Sequence, residues 1–153
     1  MLRSQTVSAL ETHLGYWLRM VSNAVSQAFA RSLEAEGVTV AEWVFLRALY
    51  DYNRLSPSHL AEALGMTRGA VTKLADRLIE KGLTAREADP EDGRAQLLAL
   101  TPPARKLVPR LAALADANDA AFFEDLKPAE RTQLERLLKK IVTGRGITGA
   151  PAS

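Results

Sequence analysis

A chain of 153 residues without a single cysteine forms no disulfide, holds no metal through thiolate and senses no oxidant through a thiol. Apolar residues make up 47% of it, enough for one compact core, and the net charge is only +2. No stretch reaches the roughly 18 uncharged apolar residues of a membrane span, and Glu11 and His13 interrupt any leader-like run, so a cytoplasmic protein without membrane contact is expected.

Residues 5–35 read as one long helix. Leu10, Leu14, Trp17, Leu18, Val21, Val25, Ala28, Phe29 and Leu33 recur at threes and fours. A helix of about 30 residues is roughly 45 Å long, more than a small domain covers by itself. The expected cover is the other end of the chain, from a second copy. Gly15 within the pattern marks either a fray point or a close approach, and Gly37 ends the helix. Thr39 caps a second helix reaching residue 53, with Glu42 at its third position completing a capping box. Trp43, Val44, Leu46, Leu49 and Tyr50 form its apolar face.

Residues 56–101 carry the organising pattern. Ser56 is an N-cap, and Pro57 occupies the first helical position, where its missing N–H costs nothing. Gly65 stops that short helix, and Thr67 caps the next. Ala70, Val71, Leu74, Leu78 and Ile79 line one face of the following helix, and Arg68, Thr72, Lys73 and Arg77 line the other. Ala61, Gly65 and Val71 have the spacing of a helix-turn-helix: a small residue, a turn glycine and a β-branched packer. By themselves they also suit an ordinary αα-hairpin. After Gly82 a strand follows over 83–88, then a Pro, Asp and Gly turn, then an apolar strand over 96–100. Helix, turn, helix, strand, loop, strand is a winged helix-turn-helix.

Residues 102–125 read as another long helix, capped by Thr101, with Pro109 expected to kink it. A last helix starts at Pro128 and ends near Thr143, although Lys127 is a poor cap. Leu134, Leu137, Leu138 and Ile141 form its stripe. Residues 144–153 are small and Gly-rich and are expected to be disordered. Charge is only slightly biased: residues 54–106 hold nine basic and seven acidic residues, the most basic third of the chain. Their acids are expected in the wing and on the far side of the recognition helix.

The run Gly82, Leu83, Arg86, Asp92, Arg94, Leu98, Leu100 and Thr101 resembles the signature of the MarR (multiple antibiotic resistance regulator) family of winged helix-turn-helix repressors. The resemblance spans roughly residues 5–143. One departure is Ala104, where the family often has glycine, with Pro102 and Pro103 before it; it leaves the start of the following helix open. The resemblance implies a mainly α fold with a small β wing. Residues 1–36 and 102–143 would form a helical dimerisation lobe and 37–101 the DNA-binding lobe. It also implies a homodimer on double-stranded DNA at a palindromic operator.

A helix in the major groove reads bases with the residues near its N-terminus, here Thr67, Arg68, Gly69, Thr72 and Lys73. Arg68 is the first choice for a bidentate guanine contact, and Gly69 permits close backbone approach. Lys73 and Arg77 suit phosphates. Arg94 at the wing tip suits the narrow minor groove, with Asp92 holding its guanidinium. Arg86 either braces the wing or meets a phosphate; His59 is either exposed or phosphate-binding. The resemblance further implies a small aromatic or anionic effector where the two lobes meet. By position, His13, Tyr16, Trp17, Trp43, Arg47 and Tyr50 are the candidates, with plain packing the rival role for the two tryptophans. No catalytic motif, metal-ligand histidine pair or cofactor loop is present, so no enzyme, metal or cofactor is expected. The rival function is a winged helix that binds only protein.

Overall fold

The computed structural model describes residues 6–148. A 3-10 turn, Leu10–Thr12, precedes α1 (Leu14–Glu34), α2 (Val40–Tyr50), α3 (Pro57–Leu64) and α4 (Arg68–Glu80). Strands β1 (Thr84–Ala88) and β2 (Gln96–Leu100) follow, then α5 (Pro102–Phe122) and α6 (Pro128–Gly144). The mainly α fold with a two-stranded wing is the one expected. No helix among the described residues is long and apolar enough to cross a membrane.

The first helix is shorter than the periodicity suggests. It starts at Leu14 rather than residue 5, and residues 1–5 lie outside the described residues. His13 is extended, with φ −97° and ψ 127°, and Gly15 falls in the first turn, where a poor helix former weakens any extension. The Trp17 indole N–H donates to the Glu11 carbonyl at 2.8 Å, so the aromatic ring fastens the 3-10 turn back onto the helix.

The local signals elsewhere act as written. Thr39 and Glu42 form a reciprocal capping box at the start of α2. Ser56 Oγ accepts from the His59 N–H, Thr67 Oγ1 from the Ala70 N–H and Thr101 Oγ1 from the Ala104 N–H, so α3, α4 and α5 all have hydroxyl caps. Thr101 also donates to the Gly82 carbonyl at 2.7 Å, which fixes the start of α5 at Pro102 despite Ala104. Helix α5 runs through Pro109 without a break. Gly65 adopts φ +63°, and the Met66 N–H returns to the Ala61 carbonyl at 2.9 Å. Only a residue at ease with positive φ turns α3 into α4 this tightly.

The C-terminal boundary needs correction. Gly144 is helical, and residues 145–146 form a turn rather than the head of a disordered tail. Gly146 takes φ +60°, and the Ile147 N–H bonds the Val142 carbonyl at 3.0 Å, closing the helix. Residues 149–153 lie outside the described residues.

The strands pair antiparallel, with Thr84 opposite Leu100 and Ala88 opposite Gln96. Leu55 bridges to Leu98, its N–H and C=O both bonded at 2.9 and 2.8 Å, so the segment before α3 adds a short third rung. The core gathers Phe45, Leu46 and Leu49 of α2, Leu60 and Leu64 of α3, Val71, Leu74 and Leu78 of α4, and Leu98 and Leu100 of β2. Leu33 from α1 and Ala104, Val108 and Leu111 from α5 enter the same cluster, so it extends past residue 101.

One charged side chain lies within this packing. Glu42 on α2 is fully buried. Lys81 Nζ straddles its carboxylate at 2.8 and 2.9 Å, and Arg77 Nη2 reaches it at 3.3 Å. Lys81 also donates to the Gly37 carbonyl at 2.8 Å. Burial alone would raise the Glu42 pKa, but the hydrogen bonds from Lys81 and Thr39 and the Lys81 charge outweigh it and hold the carboxyl below its ordinary 4.5. A depressed folded-state pKa means that this stabilisation is complete above the unfolded value and vanishes as pH falls through the folded one. In urea unfolding from about pH 6 down to pH 3, the stability gap between wild type and Glu42→Gln should therefore shrink below 4.5. A gap that stays constant with pH would contradict the pairing.

Candidate nucleic-acid interface

Helix α4 buries Val71, Leu74, Ala75 and Leu78 and turns Thr67, Arg68, Gly69, Thr72, Lys73, Asp76 and Arg77 to solvent. Its N-terminal turn is open: a Cβ built on Gly69 would meet nothing nearer than Thr67 Oγ1, at 4.0 Å. Arg68 and Lys73 enter no ion pair among the described residues, so both cations are available to an outside anion. Thr72 is exposed, and its Oγ1 donates to the Arg68 carbonyl at 2.9 Å.

The acids of this face are not on its far side, as expected from sequence. Asp76 is exposed beside the cations, but the Arg86 guanidinium from β1 pairs with it. That bond does two things. It ties the wing to the recognition helix, and it neutralises a carboxylate that would repel a phosphate. In this structure Arg86 is engaged with Asp76, the bracing arrangement of the two open to it. Arg77 likewise reaches the buried Glu42 rather than standing free for a phosphate.

The wing loop folds through its own aspartates. Asp89 Oδ1 accepts from the Glu91 N–H at 2.9 Å, and Asp92 Oδ1 accepts from the Arg94 N–H at 3.1 Å. Asp92 therefore holds the Arg94 backbone and not its guanidinium, contrary to expectation. A short carboxylate two residues away reaches the amide more readily than the end of a long side chain. Arg94 stays exposed and unpaired among the described residues at the loop tip. Behind it, Arg54 lies 3.6 Å from Glu87 and braces the strand. His59 is exposed, its Nδ1 3.0 Å from Ser56 Oγ, at the start of α3.

The six effector candidates fall into two groups. Trp43 and Arg47 line a shallow cleft of about 380 Å³ on α2, together with Val44, Ala48, Asp51 and Leu64. Trp43 packs edge-on to Phe29, ring centroids 6.2 Å apart, and Arg47 pairs with Asp51 at 3.0 Å. Tyr50 lies between two guanidinium groups, Arg47 and Arg105, each 5.8 Å from its ring. Arg105 also caps the end of α2 through the Tyr50 and Tyr52 carbonyls. His13, Tyr16 and Trp17 stand apart at the start of α1 and line none of this cleft. Trp17 is 48% exposed, so within one chain it is not a core residue.

Sequence reasoning took Glu42 as a cap and missed its burial between Arg77 and Lys81; nothing local signals a partner 39 residues away. Asp76 and Arg105 were missed for the same reason.

The geometry is matched by known proteins. The profile described as MarR family matches residues 36–95. The chain is 35% identical over 129 residues to the "Putative transcriptional regulatory protein for hcr operon" of Thauera aromatica, covering 84% of this chain and 78% of that protein. It is 30% identical over 128 residues to the HTH-type transcriptional repressor Rv2887 of Mycobacterium tuberculosis, covering 84% and 92%. The solved structure of Bordetella bronchiseptica BpsR, which concerns regulation of DNA binding by 6-hydroxynicotinic acid, superposes with TM-score 0.77 at 29% identity, covering 89% of this chain and 97% of that one. A helix-turn-helix with an open cationic N-terminus, a wing tipped by an exposed arginine and these relatives lead to one conclusion: the chain belongs to the MarR family of winged-helix, DNA-binding transcriptional regulators.

Proposed function

We propose that two copies of this chain repress transcription by occupying one inverted-repeat operator, in the cytoplasm. Each places α4 in a major groove, with Arg68 reading a base pair and Lys73 on a phosphate, and each lays Arg94 in the flanking minor groove. The observation that carries this reading is that Arg68, Lys73 and Arg94 are exposed and enter no ion pair among the described residues, while Arg77 and Arg86 are engaged within the protein. Two copies are needed because α1 and α6 leave apolar stripes uncovered: Leu14, Trp17, Leu18 and Val21 on one, Leu137, Leu138, Ile141 and Val142 on the other. A cleft of about 560 Å³ against α6, lined by Phe123, Leu134 and Leu138, suits insertion of the other copy. The family relative named as a repressor supports the sign of regulation.

Selection of bound duplexes from a random pool tests this. The expected product is an inverted repeat whose half-site centres lie about one helical turn apart. On that duplex, a dimer touching about eight phosphates gives a log–log salt slope near −7. Recovery of no inverted repeat, or an affinity indifferent to salt, would reject the reading.

The α2 cleft, lined by Trp43 and Arg47, suits a flat aromatic anion as the releasing ligand, which would take Arg47 from Asp51 on binding. The link between DNA binding and 6-hydroxynicotinic acid in BpsR favours that ligand class. Such a ligand acts only if it binds the DNA-competent and the released forms unequally.

A further inference from the structure

The reading surface of α4 lies at one end of the helix, and its firmest polar anchorage lies at the other. Arg68 and Gly69 open the helix, while Arg77 in its last turn and Lys81 just beyond it close on Glu42. Glu42 is the one charged side chain that is fully buried among the described residues. It sits at the third position of α2, where the capping box with Thr39 already fixes its backbone and rotamer. Lys81 adds a bond to the Gly37 carbonyl, so the end of α4 is fastened both to α2 and to the turn before it.

Leverage makes this anchorage matter. Thirteen residues of helix span about 18 Å, so a tilt of about 10° at the anchored end moves the reading end by about 3 Å. A bidentate arginine–guanine contact needs hydrogen bonds of about 2.9 Å and fails well before that displacement. The apolar packing of Val71, Leu74 and Leu78 opposes the tilt but is non-directional; a carboxylate gripped by two cations is not.

We propose that Glu42 is a positioning residue for sequence reading: by gripping Arg77 and Lys81 from α2, it sets the angle at which α4 presents Arg68 and Gly69 to the bases. The proposal rests on the reading of α4 as the groove-entering helix. It makes Arg77 and Lys81 contributors to specificity that never touch DNA.

Three variants of the full-length protein test it: Glu42→Gln, Lys81→Met and Lys81→Arg. Gln keeps the volume and the capping acceptor but loses the charge. Each is titrated against a duplex selected by the wild type from a random pool and against a scrambled duplex, with concentrations corrected for folded fraction. Glu42→Gln and Lys81→Met should each weaken the selected duplex by about tenfold, the loss of one good base contact, and leave the scrambled duplex within about twofold. Lys81→Arg should stay close to wild type, and Glu42→Gln combined with Lys81→Met should be no worse than either alone. A structural role alone would lower the folded fraction without altering the ratio of the two affinities. The proposal is overturned if that ratio is unchanged in both single variants, or if both affinities fall in step, which would make Lys81 a phosphate contact. Should Glu42→Gln fail to fold, Lys81→Met carries the same test from a side chain that is 39% exposed. A parallel Arg68→Ala titration separates the two ideas. If Arg68→Ala has no effect, the assignment of α4 fails; if Arg68→Ala weakens binding and the Glu42 and Lys81 variants do not, only the positioning role fails.

Discussion

Replacing Leu18 and Ile141 together by glutamate should leave the protein monomeric and lower its affinity for the selected inverted repeat by about a hundredfold or more. Leu18 is 53% exposed and Ile141 52% exposed within one chain, and each sits in an apolar stripe with neighbours that are similarly bare. Covering such a side chain contributes about 1.5–3 kcal/mol, and forcing a carboxylate into the same contact reverses the sign. Linked half-site binding by two copies exceeds the affinity of one copy by about 10²–10⁴, and that gain disappears on dissociation. Neither residue belongs to the core that holds α2, α3, α4 and the wing, so the winged lobe keeps its cooperative unfolding. Sedimentation equilibrium and duplex titration measure the two effects. A variant that sediments as a dimer would refute the assignment of these stripes to the interface.

The second large effect concerns the free cations. Arg94→Ala should weaken every duplex by a similar factor, because a minor-groove arginine answers to groove potential more than to base identity. Arg68→Ala should cost about 1–3 kcal/mol on the selected duplex and relax preference at one base pair per half-site. Both side chains are exposed and unpaired among the described residues, so the unfolding midpoint should shift by no more than about 0.5 kcal/mol equivalent. Arg77→Ala should behave differently. It takes a partner from the buried Glu42, so it lowers stability, and it leaves the salt slope near the wild-type value. If Arg77→Ala instead flattens the slope while stability is unchanged, Arg77 is a phosphate contact and the division of labour on α4 is wrong.

Much of the fold was legible because its signals are local. Ser56 with Pro57, Thr67, the Thr39–Glu42 box and Gly65 each specify a helix end through atoms within a few residues, and all appear as written. The wing was legible for a similar reason: turn residues between two apolar runs, with Asp92 and Arg94 in the loop. Periodicity misled at element ends: α2 stops at Tyr50 rather than residue 53, α5 at Phe122 rather than residue 125, and both terminal helices differ as well. Leu10 continues the stripe of α1 but sits in a separate 3-10 turn, and Gly144 continues α6 into a closing turn.

What the amino-acid order determined by itself is therefore the succession of helices and strands, their caps, and the residue types available to face DNA. The three-dimensional packing alone decided which of those residues are free to do so. Arg86 meets Asp76 ten residues away, Arg77 meets Glu42 across 35, and of the six candidate effector residues only Trp43 and Arg47 line the α2 cleft. Such pairings depend on where helix faces land after the core closes, and on the cost of leaving a buried carboxylate without a cation. Periodicity fixes the face on which a side chain lies, while the partner it finds there is settled by which elements the hydrophobic core draws together.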